Sequence, residues 1–502
     1  MKSLRLLVAF LSLCLLARAE VTLAPLFQDH AVLQRDKPLP VWGRAAPGEH
    51  VTVSFQGQLV GATTGADGRW IVYLGAVTTS AEPAELVVTG TNTVTVRDVL
   101  VGEVWLASGQ SNMEWPVAKA AAGEREIDAA KFPLIRLFTA QHNVASRPAD
   151  TVPGAWQVCT PETVRTFSAV GYFFARDLQR KLGVPVGLIS SPWGGTPIES
   201  WMGEAALRGT AAFPAIDARW QKELAIFPER QAKYPAEMAA WKQAEEHAHA
   251  THTKNPVTWP RPVVGPGTCY EPGGLFNGMI APLQPYALRG IIWSQGESNW
   301  PRPDEYAELF PALIRGWRAG WGQGDFPFFF VQAANYIVPE DPTTRGWAWL
   351  REAQTRALAL PATGMAVAID IGDPHDLHPA NKQQVARRLA LLAKAQVYGI
   401  SVDFSGPVFA FVTPEGSALR VRFDNASTGL IAANRPPQSL EIAGADRKFY
   451  PATGKIQLNT LLVSAREVKE PVAVRYAWTN SPMANLYNGA GLPAVPFRSD
   501  DW

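Results

Sequence analysis

The stretch Val101–Met113, VGEVWLASGQSNM, decides the fold. Its first seven residues are almost all apolar. They end at Ser108-Gly109-Gln110-Ser111, a polar turn with the texture of a helix start behind it. A buried strand running into a tight turn and then a helix is the building step of a parallel sheet covered on both faces. The same texture recurs downstream. Residues 184–195 (VPVGLISSPWGG) read as a buried strand followed by a glycine turn. Residues 288–297 (LRGIIWSQGE), 326–336 (FPFFFVQAANY) and 364–373 (GMAVAIDIGD) read as further buried strands. Helical periodicity lies between and after them, in 168–182 with Gly183 as its stop and in 381–399 as a closing helix. The fold class expected is α/β, with a doubly covered sheet spanning 101–399.

Outward from this core the texture becomes β. Residues 50–74 and 84–108 alternate in short runs separated by Gly-Gln and Ala-Asp-Gly turns, which predicts an N-terminal β-sandwich module over 20–100. Residues 402–425, 440–459 and 471–480 predict a C-terminal β module over 400–502. Within the α/β region, residues 203–267 are rich in Ala, Glu, Lys and Gln, then in Pro and Gly. They read as an insertion of one or two amphipathic helices and a loop, able to wall a cleft or simply to decorate the surface. A chain of 502 residues exceeds what one core supports.

Residues 1–19 read as an export signal. Lys2 and Arg5 precede the apolar run Leu6–Leu16, and Ala17-Arg18-Ala19 supplies the small residues of a cleavage site before Glu20. The run falls short of the roughly 20 residues that span a bilayer, so no membrane span is expected. Beyond that segment only Cys159 and Cys269 remain, too few for a disulfide framework, though one bridge is permitted. Net charge is +1 with no basic block, which argues against nucleic acid as a partner. The 18 Trp residues belong first to packing, and exposed ones also suit the apolar faces of sugar rings.

Ligands of open α/β sheets bind beyond the carboxyl ends of the strands, and four such ends carry unusual polar residues. Ser111, in a tight turn at a helix N-terminus, is placed as a nucleophile would be. Trp193-Gly194-Gly195 offers backbone N–H groups suited to an oxyanion. Gln295, Glu297 and Asn299 put two amides and a carboxylate in one loop. Asp373-Pro374-His375-Asp376-Leu377-His378 offers a general base with carboxylates in reach. The same loop could instead supply metal ligands through His375, Asp376 and His378, although no other cluster completes a set at recognisable spacing.

Five blocks carry a resemblance. Residues 106–117 (LASGQSNMEWPV), 190–202 (SSPWGGTPIESWM), 275–299 (LFNGMIAPLQPYALRGIIWSQGESN), 373–390 (DPHDLHPANKQQVARRLA) and 485–502 (NLYNGAGLPAVPFRSDDW) look like the sialate O-acetylesterase family of the SGNH-type hydrolases. The resemblance covers nearly the whole chain beyond residue 19. It implies a flavodoxin-like α/β/α esterase domain with neither metal nor cofactor, flanked by the two β modules, and an acetylated carbohydrate as substrate. It implies Ser111 as nucleophile and His378 as base. The oxyanion donors it implies are the Ser111 N–H, Gly195 (or Gly194) and Gln295 (or Asn299). Gln110, Trp193, Glu297 and Asn299 are the expected substrate contacts. The wider superfamily has its Asp three residues before the His, where this chain has His375. Asp376 is therefore the expected acid, with Asp373 or a bare Ser–His pair as alternatives. Arg315, Arg318 and Arg351 are candidates for meeting a sialate carboxylate. Other acetylated glycans such as xylan, and a carbohydrate-binding protein with a degenerate esterase core, are the competing readings.

Overall fold

The computed structural model describes residues 20–433 and 435–502; the expected export signal lies outside the described residues. Seven strands make the central sheet: β1 (Thr93–Gly109), β2 (Phe132–Ala140), β3 (Gly154–Cys159), β4 (Val186–Pro192), β5 (Gly290–Ser294), β6 (Phe328–Val331) and β7 (Thr363–Ala366). Their spatial order is β3-β2-β4-β1-β5-β6-β7. All neighbours are parallel except the edge strand β3, which runs antiparallel to β2. Without the β2–β3 extension, the five remaining strands have the flavodoxin-like order 2-1-3-4-5.

Both faces of this sheet are apolar because both are covered. Val104, Leu106, Ile291, Trp293, Phe328 and Phe330 share a core with residues of helices Pro303–Trp321 and Gly346–Arg356. Trp105, Ala107, Ile292 and Phe329 share the opposite core with residues of helices Ala169–Leu182 and Lys382–Gln396. These helices, with the short Ser111–Glu114 and the long Phe213–Thr251, are named in chain order α1 (Ser111–Glu114), α2 (Ala169–Leu182), α3 (Phe213–Thr251), α4 (Pro303–Trp321), α5 (Gly346–Arg356) and α6 (Lys382–Gln396).

The expected boundary near residue 100 falls inside one element. β1 is 17 residues long and serves two layers. Its first part pairs antiparallel with Ser80–Thr89 and parallel with Val32–Gln34; from Glu103 onward it pairs with β4 and β5. At the transition, the fully buried Glu103 carboxylate accepts from Arg35 Nε (2.5 Å) and from Arg289 Nε (2.6 Å) and Nη2 (3.1 Å). Despite burial, which pushes it up, these two guanidinium groups hold the Glu103 carboxyl below its ordinary range. The insertion is dominated by α3, 39 residues long with Pro228 and Pro235 inside it and only Ile216 and Ala248 buried.

The C-terminal region holds two four-stranded antiparallel sheets and a two-stranded ladder. Arg351 of α5 joins it to the α/β core. This fully buried guanidinium donates to Ala333 O (2.8 Å) and Ala334 O (3.1 Å) on one side, and to Thr479 O (2.9 Å) and Asn480 O (2.7 Å) on the other.

Replacing Glu103 by Ala leaves two arginines without their buried partner. Breaking a buried pair this way costs about 3–5 kcal/mol. The expected outcome is a loss of that size in unfolding free energy, measured by denaturant titration; a loss below about 1 kcal/mol would show the cluster to be solvated.

Candidate active site

The chain leaves β1 toward β4 on one side and later returns to β5 on the other, so a crevice opens where the ends of β1 and β5 lie adjacent. Gly109 closes β1 with φ +133°, and a Cβ there would stand 2.1 Å from Ser294 O. Only glycine allows this approach. It lets Gln110 N–H donate to Ser294 O (2.8 Å) and Trp193 N–H donate to Gly109 O (3.0 Å), tying three strand ends together. In α1, the N–H groups of Met113 and Glu114 donate to Gln110 O. Those of Ser111 and Asn112 have no protein acceptor among the described residues. Ser168 Oγ donates to Met113 O (2.6 Å) and accepts from Gly171 N–H (3.1 Å), so the cap of α2 also fixes α1.

Ser111 Oγ lies 2.8 Å from His378 Nε2, a hydrogen-bonding distance between residues 267 apart in sequence. The acid is arranged differently from a hydrogen-bonded triad. Asp376 Oδ1 accepts the His378 backbone N–H (2.8 Å) but stands 3.9 Å from His378 Nδ1, beyond hydrogen-bonding range, and its side chain is exposed. Asp373 Oδ1 accepts the His375 backbone N–H (2.8 Å). Both carboxylates shape the loop, and Asp376 reaches the ring through its charge alone. The ring itself rests on Trp115, with centroids 4.9 Å apart and planes 14° from parallel. Lys119 and Lys382 lie 5.4 and 5.5 Å from the Trp115 centroid. Burial, then the charge of Lys382, push His378 below the ordinary imidazole value; Asp376 opposes them.

Beneath the pair runs a buried chain of polar groups. Lys382 Nζ donates to Asn112 Oδ1 (2.6 Å), and Asn112 Nδ2 donates to Glu297 Oε1 (2.6 Å) and Leu377 O (3.2 Å). Asn112 therefore links the serine turn to both the histidine loop and the β5 loop. Burial lowers Lys382 to about 8 and raises Glu297. Sequence reasoning passed over Trp115, Asn112 and Lys382, although all three lie within the quoted blocks. Their signal was position: Asn112 directly follows Ser111, Trp115 lies one turn beyond it, and Lys382 opens the helix that follows the histidine loop.

The glycine turn separates its two candidates. Gly194 N–H is committed to Glu114 Oε2 (2.6 Å). Gly195, with φ +73°, has an N–H without a protein acceptor among the described residues. Gln295 corrects the expectation of a third donor: its Nε2 gives one hydrogen to Thr196 O (3.2 Å) and one to Asn299 Oδ1 (2.8 Å). Asn299 Oδ1 also accepts Ile198 N–H (2.9 Å), and its Nδ2 donates to Glu199 Oε2 (2.9 Å). Gln110 Oε1 accepts from Gly296 N–H (3.4 Å) and Ser298 N–H (3.3 Å). Gln110, Gln295, Glu297 and Asn299 are buried and hold the crevice floor through these bonds. Trp193 is half-buried and stacks on His142, centroids 3.9 Å apart.

The other sequence candidates have structural places. Arg318 is buried on the carbonyls of Phe326 and Pro361, and Arg351 is the staple described above. Arg315 lines a separate hollow with Gly203 and Phe276. Neither cysteine is bonded, and burial raises Cys159 to about 12 and Cys269 to about 11. Among the described residues no three of His, Cys, Asp or Glu gather as metal ligands would, and no helix is long and apolar enough to cross a membrane.

An α/β/α core with a serine–histidine pair at its switch point has the layout of a serine hydrolase. Comparison with known proteins specifies it further. The family described as carbohydrate esterase, sialic acid-specific acetylesterase, matches residues 101–255 and 271–395. The sialate O-acetylesterase of Rattus norvegicus is 31% identical over 95% of this chain and 94% of its own length. That of Homo sapiens is 30% identical over 94% and 91%. A crystal structure of a carbohydrate acetylesterase from Xanthomonas citri is 38% identical, with a TM-score of 0.82, covering 96% of this chain and all (100%) of that one. The chain belongs to the sialic acid-specific acetylesterase family of carbohydrate esterases.

The histidine environment predicts three outcomes. The base must be neutral, so a lowered pKa keeps it competent to lower pH: the acid limb of kcat/KM should have its midpoint below the ordinary imidazole value of 6.5. Asp376→Asn keeps the loop bond yet removes the charge that raises His378. The pH–rate profile should shift further to acid, with a loss under about tenfold, against about 10⁴ for a hydrogen-bonded triad acid. A loss near the larger figure would show that Asp376 closes onto the ring during turnover. Trp115→Leu removes a ring contact worth about 1 kcal/mol, roughly fivefold in kcat/KM, read in the same assay.

Proposed function

We propose that this chain is an exported serine acetylesterase that removes acetyl groups from carbohydrate hydroxyls. The observation that carries the reading is the 2.8 Å contact between Ser111 Oγ and His378 Nε2 at the switch point of the sheet. The N-terminal pattern of charge, apolar run and small residues supports export. The names of the relatives support an acetylated sugar, with 9-O-acetylated sialic acid the first candidate.

In the proposed reaction His378 Nε2 takes the proton of Ser111 Oγ as that oxygen attacks the acetyl carbonyl carbon. The C=O electron pair moves onto oxygen, which accepts hydrogen bonds from the N–H groups of Ser111 and Gly195. Collapse breaks the bond to the sugar oxygen, which leaves with the proton from His378 as the alcohol. Water, deprotonated by His378, then attacks the acetyl-serine; the intermediate collapses as His378 returns that proton to Ser111 Oγ, and acetate is released. Trp115 on one face and Asp376 at a distance stabilise the imidazolium formed in each half.

The test is acetate release by wild type and Ser111→Ala on 9-O-acetylated sialic acid and on acetylated xylan in parallel. Wild-type release that the variant lacks is expected, and the preferred substrate names the sugar. Equal release by both proteins would remove Ser111 from the mechanism. Gly195→Ala strains the turn and moves its N–H, so kcat should fall by about 10²–10³, as for loss of one oxyanion donor.

A further inference from the structure

Next to Gly195 a cleft of about 410 Å³ opens between the inserted helix α3 and the loops after β4 and β5. Its position follows from the glycine turn. A Cβ on Gly194 would meet Ser111 Cβ at 3.3 Å, whereas one on Gly195 would face the Tyr270 hydroxyl at 3.8 Å. The nucleophile and this cleft thus lie on either side of two consecutive residues.

The cleft walls combine aromatic surface with polar groups that have no protein partner. Trp220 of α3 and Tyr270 are half-buried there. The Trp220 indole N–H, the Tyr270 hydroxyl and the Ser298 hydroxyl make no protein hydrogen bond among the described residues. Arg302 stands 3.7 Å from Glu199 Oε1 and 3.4 Å from Glu305 Oε2, and its buried Nε makes no hydrogen bond. Apolar walls with a few convergent polar groups are the composition of a ligand site. The charges cancel. Arg219 is held in a two-pronged pair by Glu305 (2.7 Å each), and Arg302 lies between Glu305 and Glu199. No uncompensated cation is left for a carboxylate, while several free donors suit hydroxyl and ring oxygens.

We propose that this cleft is a subsite for an uncharged sugar ring adjoining the acetylated one, so that the substrate is an oligosaccharide or polysaccharide chain. The inference rests on the esterase reading above and gives the insertion its role: α3 supplies the platform, Trp220, that a sugar face covers, while Arg302, Tyr270 and Ser298 hydrogen-bond its oxygens.

The experiment measures kcat/KM for partially acetylated xylo-oligosaccharides and for methyl acetylxyloside, with 4-nitrophenyl acetate reporting the catalytic pair alone. Wild type should prefer the oligosaccharide by about tenfold or more. Trp220→Ala and Arg302→Gln should each collapse that ratio toward one, with thermal melting confirming that both variants fold. A ratio that neither variant changes overturns the subsite. A wild type that cleaves 4-nitrophenyl acetate without preferring the oligosaccharide overturns it too, and leaves the esterase reading standing. A wild type that fails to cleave 4-nitrophenyl acetate removes the esterase reading and the subsite with it.

Discussion

The structure depends on one close approach: Gly109 against the Ser294 carbonyl, where a side chain would stand 2.1 Å from that oxygen. The sheet can bring β1 and β5 side by side anywhere along their length, but the crevice forms only where their ends meet. Glycine allows that meeting, and the bonds from Gln110 N–H to Ser294 O and from Trp193 N–H to Gly109 O lock it. Ser111 then follows two residues beyond the lock with little freedom left. The Glu103 cluster anchors the same strand at its middle, so β1 is fixed at both ends of its catalytic half.

In the proposed reaction the chemistry of the pair is set by its surroundings more than by a third catalytic residue. In a hydrogen-bonded triad the carboxylate fixes the tautomer and orientation of the base. Here the Asp376 carboxylate is spent on the loop backbone, and orientation comes from the Trp115 face. Charge near the ring is mixed: Lys382 disfavours the imidazolium, Asp376 favours it, and burial tips the balance toward the neutral base. The buried Lys382–Asn112–Glu297 chain makes this arrangement rigid, since it bonds the serine turn, the histidine loop and the β5 loop to one side chain.

The fold was legible because its strands are buried on both faces and so read as continuous apolar runs, and because turns and caps such as Gly183 stand where helices stop. The meeting of Ser111 and His378 was legible in the same way, since both lie at strand ends of one sheet. What stayed hidden was the direction of polar side chains. Gln295 and Asn299 have the right chemistry for substrate contacts, but a burial-driven network turns their amides toward Thr196 O and Glu199. Arg318 and Arg351 are cations by type, and the structure spends them on backbone carbonyls. The N-terminal boundary could not be read because one unbroken strand serves both layers, and no turn or loop marks the junction. The role of α3 was equally hidden, because its exposed composition does not reveal which face meets the crevice.

In the proposed reaction Ser111 becomes the acyl carrier through deprotonation by His378. The most direct measurement is labelling with a serine-directed phosphonate, followed by peptide mapping across a pH series. We expect a single adduct on Ser111, formed in step with loss of acetate release, with a labelling rate that falls toward acid with a midpoint below 6.5 as His378 takes up its proton. Full inactivation with the adduct on another residue, or full activity with Ser111 quantitatively modified, would contradict it.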